Sequence, residues 1–128
     1  MSEHLKFTYL EEGIYRFRWL NRSEAAGTEF YSLITRLYDE LPQDTKVIRI
    51  LHDYRHVSSL PLFEVTSRIQ SLQGKYPNLN RRIAYLSDYN LIEPLIVSLA
   101  IVSKRSGTRR FFESSQEREA IDWLLEDN

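Results

Sequence analysis

Two residue periods divide this chain. Leu5, Phe7 and Tyr9 alternate with Lys6 and Thr8, and beyond Glu12-Gly13 a second alternation sets Tyr15, Phe17 and Trp19 against Arg16 and Arg18. Period two on both sides of a glycine-containing turn predicts an antiparallel hairpin whose aromatic face is read as core. Asn21 followed by Glu24 has the spacing of a capping box, and Phe30, Leu33, Ile34, Leu37 and Leu41 keep helical spacing until Pro42 stops the helix. Val47-Ile48-Arg49-Ile50-Leu51-His52-Asp53 is an apolar, β-branched run of strand length, as in a largely buried strand of a parallel sheet.

Pro61 fits the first turn of a second helix, with Val65, Ile69 and Leu72 on its apolar face and Gly74 and Pro77 ending it. Arg82 to Leu86 makes a short strand. A third helix starts near Glu93-Pro94 and stops at Gly107, and Thr108 to Phe112 forms the last strand. Ser114-Ser115-Gln116-Glu117 has capping-box form, and Ala120, Ile121, Leu124 and Leu125 mark the final helix. Two strands, a helix and three strand–helix pairs predict an α/β fold, one domain over residues 1–128. The sheet is mixed, about five strands with Val47–His52 central, and the four helices lie mainly on one side.

The length of 128 residues suits one domain with its own core. The absence of cysteine excludes disulfides, thiolate catalysis and Cys-based zinc sites. Seventeen basic against eighteen acidic side chains argue against a dedicated nucleic-acid binder, as does the separation of the hairpin's arginines from its aromatics. Leu95 to Val102, the longest apolar run, is too short to span a bilayer. Met1-Ser2-Glu3-His4 lacks the basic-then-apolar pattern of a leader, so a cytoplasmic location is expected.

Ligand sites of open α/β sheets lie past the carboxyl ends of the strands, which directs attention to Asp53 and Asp88. Paired carboxylates there could bind a cation or act as acid and base, and with His56 they define an alternative reading as a small hydrolase-like enzyme. Each aspartate equally suits a strand–helix turn, where Asp commonly accepts backbone N–H bonds. His52 and His56 are four apart, but that spacing makes a metal pair only on a helix, and here it leaves a strand. No Ser-His-Asp order, glycine-rich phosphate loop or metalloprotease motif occurs, and nothing calls for a cofactor or a metal.

The Tyr9-Leu10-Glu11-Glu12-Gly13-Ile14 hairpin, the strand ending at Asp53, and Arg110-Phe111-Phe112 followed by Glu119-Ala120-Ile121-Asp122-Trp123-Leu124 together give a layout that resembles the SpoIIAA-like branch of the STAS superfamily, the anti-anti-sigma-factor fold. The resemblance covers nearly the whole chain. It implies a non-catalytic regulatory or binding module working through protein contacts or a small apolar ligand. Phosphorylatable members carry Asp-Ser-Ser-Gly where the helix after the central strand begins. Here Pro61, Leu62 and Phe63 hold that place, and Ser58 and Ser59 come a few residues early without the acid and the glycine. The candidate binding residues are Asp53, His56, Ser58, Ser59, Phe63 and Asp88.

The third helix is apolar on nearly every side, so it is either buried within the monomer, covered by a second copy through Leu95, Leu99 and Val102, or part of an apolar ligand pocket. Leu99→Lys separates the first two by sedimentation and urea unfolding together: a folded, newly monomeric variant marks a dimer interface, and an unfolded one marks core. A wild-type monomer at high concentration removes the dimer.

Overall fold

A computed structural model describes residues 4–10, 13–21, 23–55, 75–76, 79–88 and 108–126. Five strands, β1 (Leu5–Leu10), β2 (Ile14–Trp19), β3 (Val47–Asp53), β4 (Asn80–Ser87) and β5 (Thr108–Glu113), form one sheet in the order β1-β2-β3-β4-β5. β1 and β2 are antiparallel and every other neighbouring pair is parallel, so the sheet is mixed with β3 at its centre. Two helices are described, α1 (Glu24–Glu40) and α2 (Glu117–Leu124). Neither is long and apolar enough to cross a membrane.

The hairpin closes where the sequence places it. Leu10 is the register partner of Ile14, Gly13 N–H donates to Leu10 O at 2.9 Å, and Gly13 has φ +90°. A connection of this length puts a left-handed residue at its last position, which glycine adopts without the Cβ clash of other residues.

Side chains alternate across β3, and the two sides differ in chemistry. Ile48, Ile50 and His52 face α1, which buries Ala26, Phe30, Ile34, Leu37 and Tyr38 against them. Phe7, Phe17, His52, Tyr85 and Phe111 are register partners that cross all five strands on this face. Their ring centroids follow at 5.0, 5.7, 5.2 and 4.9 Å. Such pairs add about 0.5–1.5 kcal/mol each beyond the area they bury. The register of one antiparallel and three parallel pairings therefore assembles one continuous row of rings from five strands.

On the other face, Ile14, Leu51, Ala84, Leu86 and Phe112 pack against Ala120, Trp123 and Leu124 of α2. Two arginines, Arg82 buried and Arg49 half-buried, hold the end of this helix. Arg49 Nε donates to Leu124 O at 2.7 Å, and Arg82 Nε donates to Trp123 O at 2.8 Å with its guanidinium 4.1 Å from the Trp123 ring centre. Carbonyls of a last helical turn lack partners within the helix and carry its negative dipole end, so cationic donors suit them doubly.

Several expectations need correction. The two described helices sit on opposite faces of the sheet instead of sharing one side. The predicted second and third helices lie outside the described residues. The cap of α1 is Ser23, whose Oγ accepts from Ala26 N–H at 3.1 Å, while Asn21 Oδ1 accepts from the Ser23 hydroxyl at 2.6 Å. Asn21 thus braces the cap instead of forming it. Gln116, at the N-cap of α2, makes no side-chain cap bond and accepts from Glu113 N–H instead. Phe7 and Tyr9 belong to the aromatic face expected to be core, yet they remain 40% and 59% exposed, because they lie on an outer strand of the sheet.

His52 makes this core sensitive to acid. Trp19 Nε1–H donates to His52 Nδ1 at 3.2 Å, which puts the imidazole proton on Nε2. Burial, with Arg109 nearby adding to it, lowers its pKa to about 3 from an ordinary value of about 6.5. The folded state therefore binds fewer protons than the unfolded one. This contribution to stability is whole above pH ~6.5 and is lost as pH falls toward the folded value, with a slope reaching about 1.4 kcal/mol per pH unit. Urea unfolding between pH 7 and pH 4 measures that slope. His52→Gln, which keeps an acceptor for Trp19, should flatten it, and an unchanged slope would contradict the neutral buried imidazole.

Candidate functional site

β3 and β4 end at the carboxyl edge of the sheet, and there Asp53 is sealed from solvent. Every approach to its carboxylate comes from arginine. Arg55, two residues on, donates its backbone N–H and Nε to Oδ1, both at 3.0 Å, and its Nη2 to Oδ2 at 2.7 Å. Arg16 of β2 adds Nη2 to Oδ2 at 2.8 Å. Arg18 Nε stands 3.5 Å from the same oxygen. Burial alone would push this carboxyl's pKa up, but the hydrogen bonds from Arg55 and Arg16 outweigh it and hold the acid well below the usual carboxylate range.

The network continues into α2. Glu117 Oε1 lies 2.8 Å from both Arg16 Nη2 and Arg55 Nη2, so one carboxylate in the first turn of the helix joins the two arginines that hold Asp53. Arg55 Nη1 also reaches Ser114 O at 3.4 Å. α2 is therefore anchored at both ends, by Glu117 at its start and by Arg49 and Arg82 at its finish. The arrangement fixes a helix and the chain just past β3; it leaves Asp53 no lone pair directed at solvent and no proton to exchange near neutrality.

Asp88 is exposed just beyond β4, and its Oδ1 accepts from Ser114 Oγ at 2.5 Å. The two aspartates expected to share a crevice thus take different partners: Asp53 the arginines, Asp88 the turn after β5. His52 belongs to the ring row on the opposite face. Among the described residues, no group of three or more His, Asp or Glu is arranged to hold a metal ion. His56, Ser58, Ser59 and Phe63, and the self-association candidates Leu95, Leu99 and Val102, lie outside the described residues.

Sequence reasoning missed Arg16, Arg55 and Glu117 as a unit. Alternation puts Arg16 on the correct face, but its partner Asp53 is 37 residues away in the chain. The capping-box spacing makes Glu117 a capping acid, whereas in the fold it pairs with Arg16 and Arg55. The one local signal was Asp53-Tyr54-Arg55, an aspartate at a strand end with a donor two residues on.

A second hollow lies at the opposite edge, near the start of β3. Tyr38, Asp39, Leu41, Lys75, Tyr76 and Leu79 border a cleft of about 430 Å³, and Tyr76 Oη donates to Asp39 across it at 2.6 Å. Its charged rim suits an apolar ligand poorly.

No protein-family model matches the chain, and no curated protein matches it. A solved structure does. The crystal structure of an uncharacterised protein of the DUF3478 family from Shewanella loihica PV-4, described as having a SpoIIAA-like fold, matches with a TM-score of 0.63. The match covers 94% of this chain and 91% of that one at 19% sequence identity. Likeness at that identity speaks for architecture alone, and the architecture of this chain is SpoIIAA-like.

Proposed function

We propose that this chain is a non-catalytic binding module that acts through protein contacts made where the chain leaves β3, on the Asp53–Leu62 loop. The observation that carries this reading is the state of Asp53. A carboxylate with no exposed surface and four hydrogen bonds from two arginines is a fastener. It ties the root of the loop to β2 and α2, and a rigid root is what a recognition loop needs if binding is not to cost extra ordering entropy. The SpoIIAA-like architecture agrees with a regulatory role of this kind. The hydrolase-like alternative through Asp53, His56 and Asp88 loses its central acid, since a carboxylate held far below its ordinary pKa by arginine is neither a proton donor nor a useful base near neutrality.

Two measurements bear on this reading. Asp53→Asn leaves two half-buried arginines facing an uncharged amide and should lower the unfolding free energy by about 1–3 kcal/mol in urea; wild-type stability would contradict the fastener. Pull-downs with Ser58→Ala, Ser59→Ala and Phe63→Ala address the loop itself. Loss of a bound protein by at least one folded variant is expected, and an unchanged set of partners for all three would take the loop out of consideration.

A further inference from the structure

β1 is the outermost strand of the sheet among the described residues, and Lys6, Phe7, Thr8 and Tyr9 are all exposed. Its backbone polarity follows from one bond. Leu20 N–H donates to His4 O at 2.9 Å, which makes His4 and Leu20 a hydrogen-bonded pair of the antiparallel register. Such pairs alternate along a ladder. Lys6 and Thr8 therefore direct their N–H and C=O groups to β2, while Phe7 and Tyr9 direct theirs outward, along the free edge.

The two faces flanking that edge are unlike. On the α1 side, Phe7 and Tyr9 are the large apolar residues left exposed among the described residues, and their rings lean on Phe17 and Tyr15 at 5.0 and 4.8 Å. On the α2 side the register pairs Lys6 with Arg18 and Thr8 with Arg16. α2 packs chiefly on β3, β4 and β5, and Lys6 and Thr8 on this side of β1 stay exposed. Arg16 is committed to Asp53 and Glu117, whereas the described polar contact of Arg18 is its distant approach to Asp53. Arg18 and Lys6 thus form a cationic pair, and the acid that Arg18 approaches is already occupied by Arg16 and Arg55.

A strand laid along β1 would set alternate side chains against an aromatic strip and a cationic strip. From this juxtaposition we infer that the β1 edge docks an extended segment of a partner protein in which apolar and acidic side chains alternate. Backbone hydrogen bonds to Phe7 and Tyr9 supply the attachment, and the two faces supply the selection. A second copy of the chain paired through Phe7 is the poorer occupant. Antiparallel self-pairing on the outward-facing Phe7 would place a second Lys6 opposite Thr8, on the face that already holds Lys6 and Arg18, and like charges so placed oppose pairing. The inference rests on the reading of the chain as a protein-binding module but uses a different surface from the Asp53–Leu62 loop.

The test is fluorescence anisotropy with a labelled, end-capped peptide of alternating glutamate and valine, beside lysine–valine and glutamate–serine peptides. Wild-type protein should bind the first and neither of the others. Lys6→Glu should weaken that binding on the order of tenfold. Tyr9→Pro removes an outward N–H without touching the ladder to β2 and should abolish binding, while Tyr9→Ala only reduces it. Urea unfolding of each variant confirms the fold, and should Tyr9→Pro not fold, the peptide series and Lys6→Glu still decide. No binding of the glutamate–valine peptide, equal binding of the lysine–valine peptide, or a wild-type dimer that Lys6→Glu strengthens would each overturn the inference. The loop pull-downs read another surface, so failure there is distinguishable from failure here.

Discussion

A charge taken out of water must find its compensation inside the protein, and in this chain the buried carboxylate of Asp53 organises everything around that demand. The arginine two residues on folds back to grip it with three donors, a second reaches it from β2, and both then need an acid on their far side. Glu117 supplies that acid, and with it the position and direction of α2 are set. Replacing the whole network with apolar groups could leave stability unchanged; removing one member could not, because every remaining charge would stay buried or half-buried without its counterpart.

The opposite face is built on another rule. There the strands contribute rings at matching register positions, and the row they form depends on β2, β3, β4 and β5 all running the same way. A slip of one residue would turn a strand's ring to the α2 side, and in β2 it would bring Arg16 or Arg18 into the place of Phe17. The charged face and the ring face therefore guard each other's register. Each makes misalignment of a strand costly on both sides of the sheet at once.

The parts of this architecture that local pattern controls were legible in the sequence. The alternation of Phe17 and Trp19 with Arg16 and Arg18 gave the hairpin and its two faces, and the apolar run ending at Asp53 gave the central strand. The contacts that join distant segments were not legible. Nothing near Glu117 announces a partner on β2, and nothing near Arg49 or Arg82 announces that each will cap a helix later in the chain. Alternation also says which side of a strand a residue takes without saying whether anything covers that side. Phe7 and Phe17 have the same pattern and opposite fates, because one lies on the outer strand and the other one strand further in.

The chain's two tryptophans, Trp19 and Trp123, lie on opposite faces of the sheet. One is bonded to an imidazole within the ring row, and the other is covered by a guanidinium beneath a helix. Their emission should consequently answer to different surroundings, so that each indole signals the state of its own layer. Chains carrying one indole at a time would turn the sheet into a partition between two optical reporters. Whether the layers separate together or in sequence during unfolding then becomes a matter of comparing two fluorescence curves.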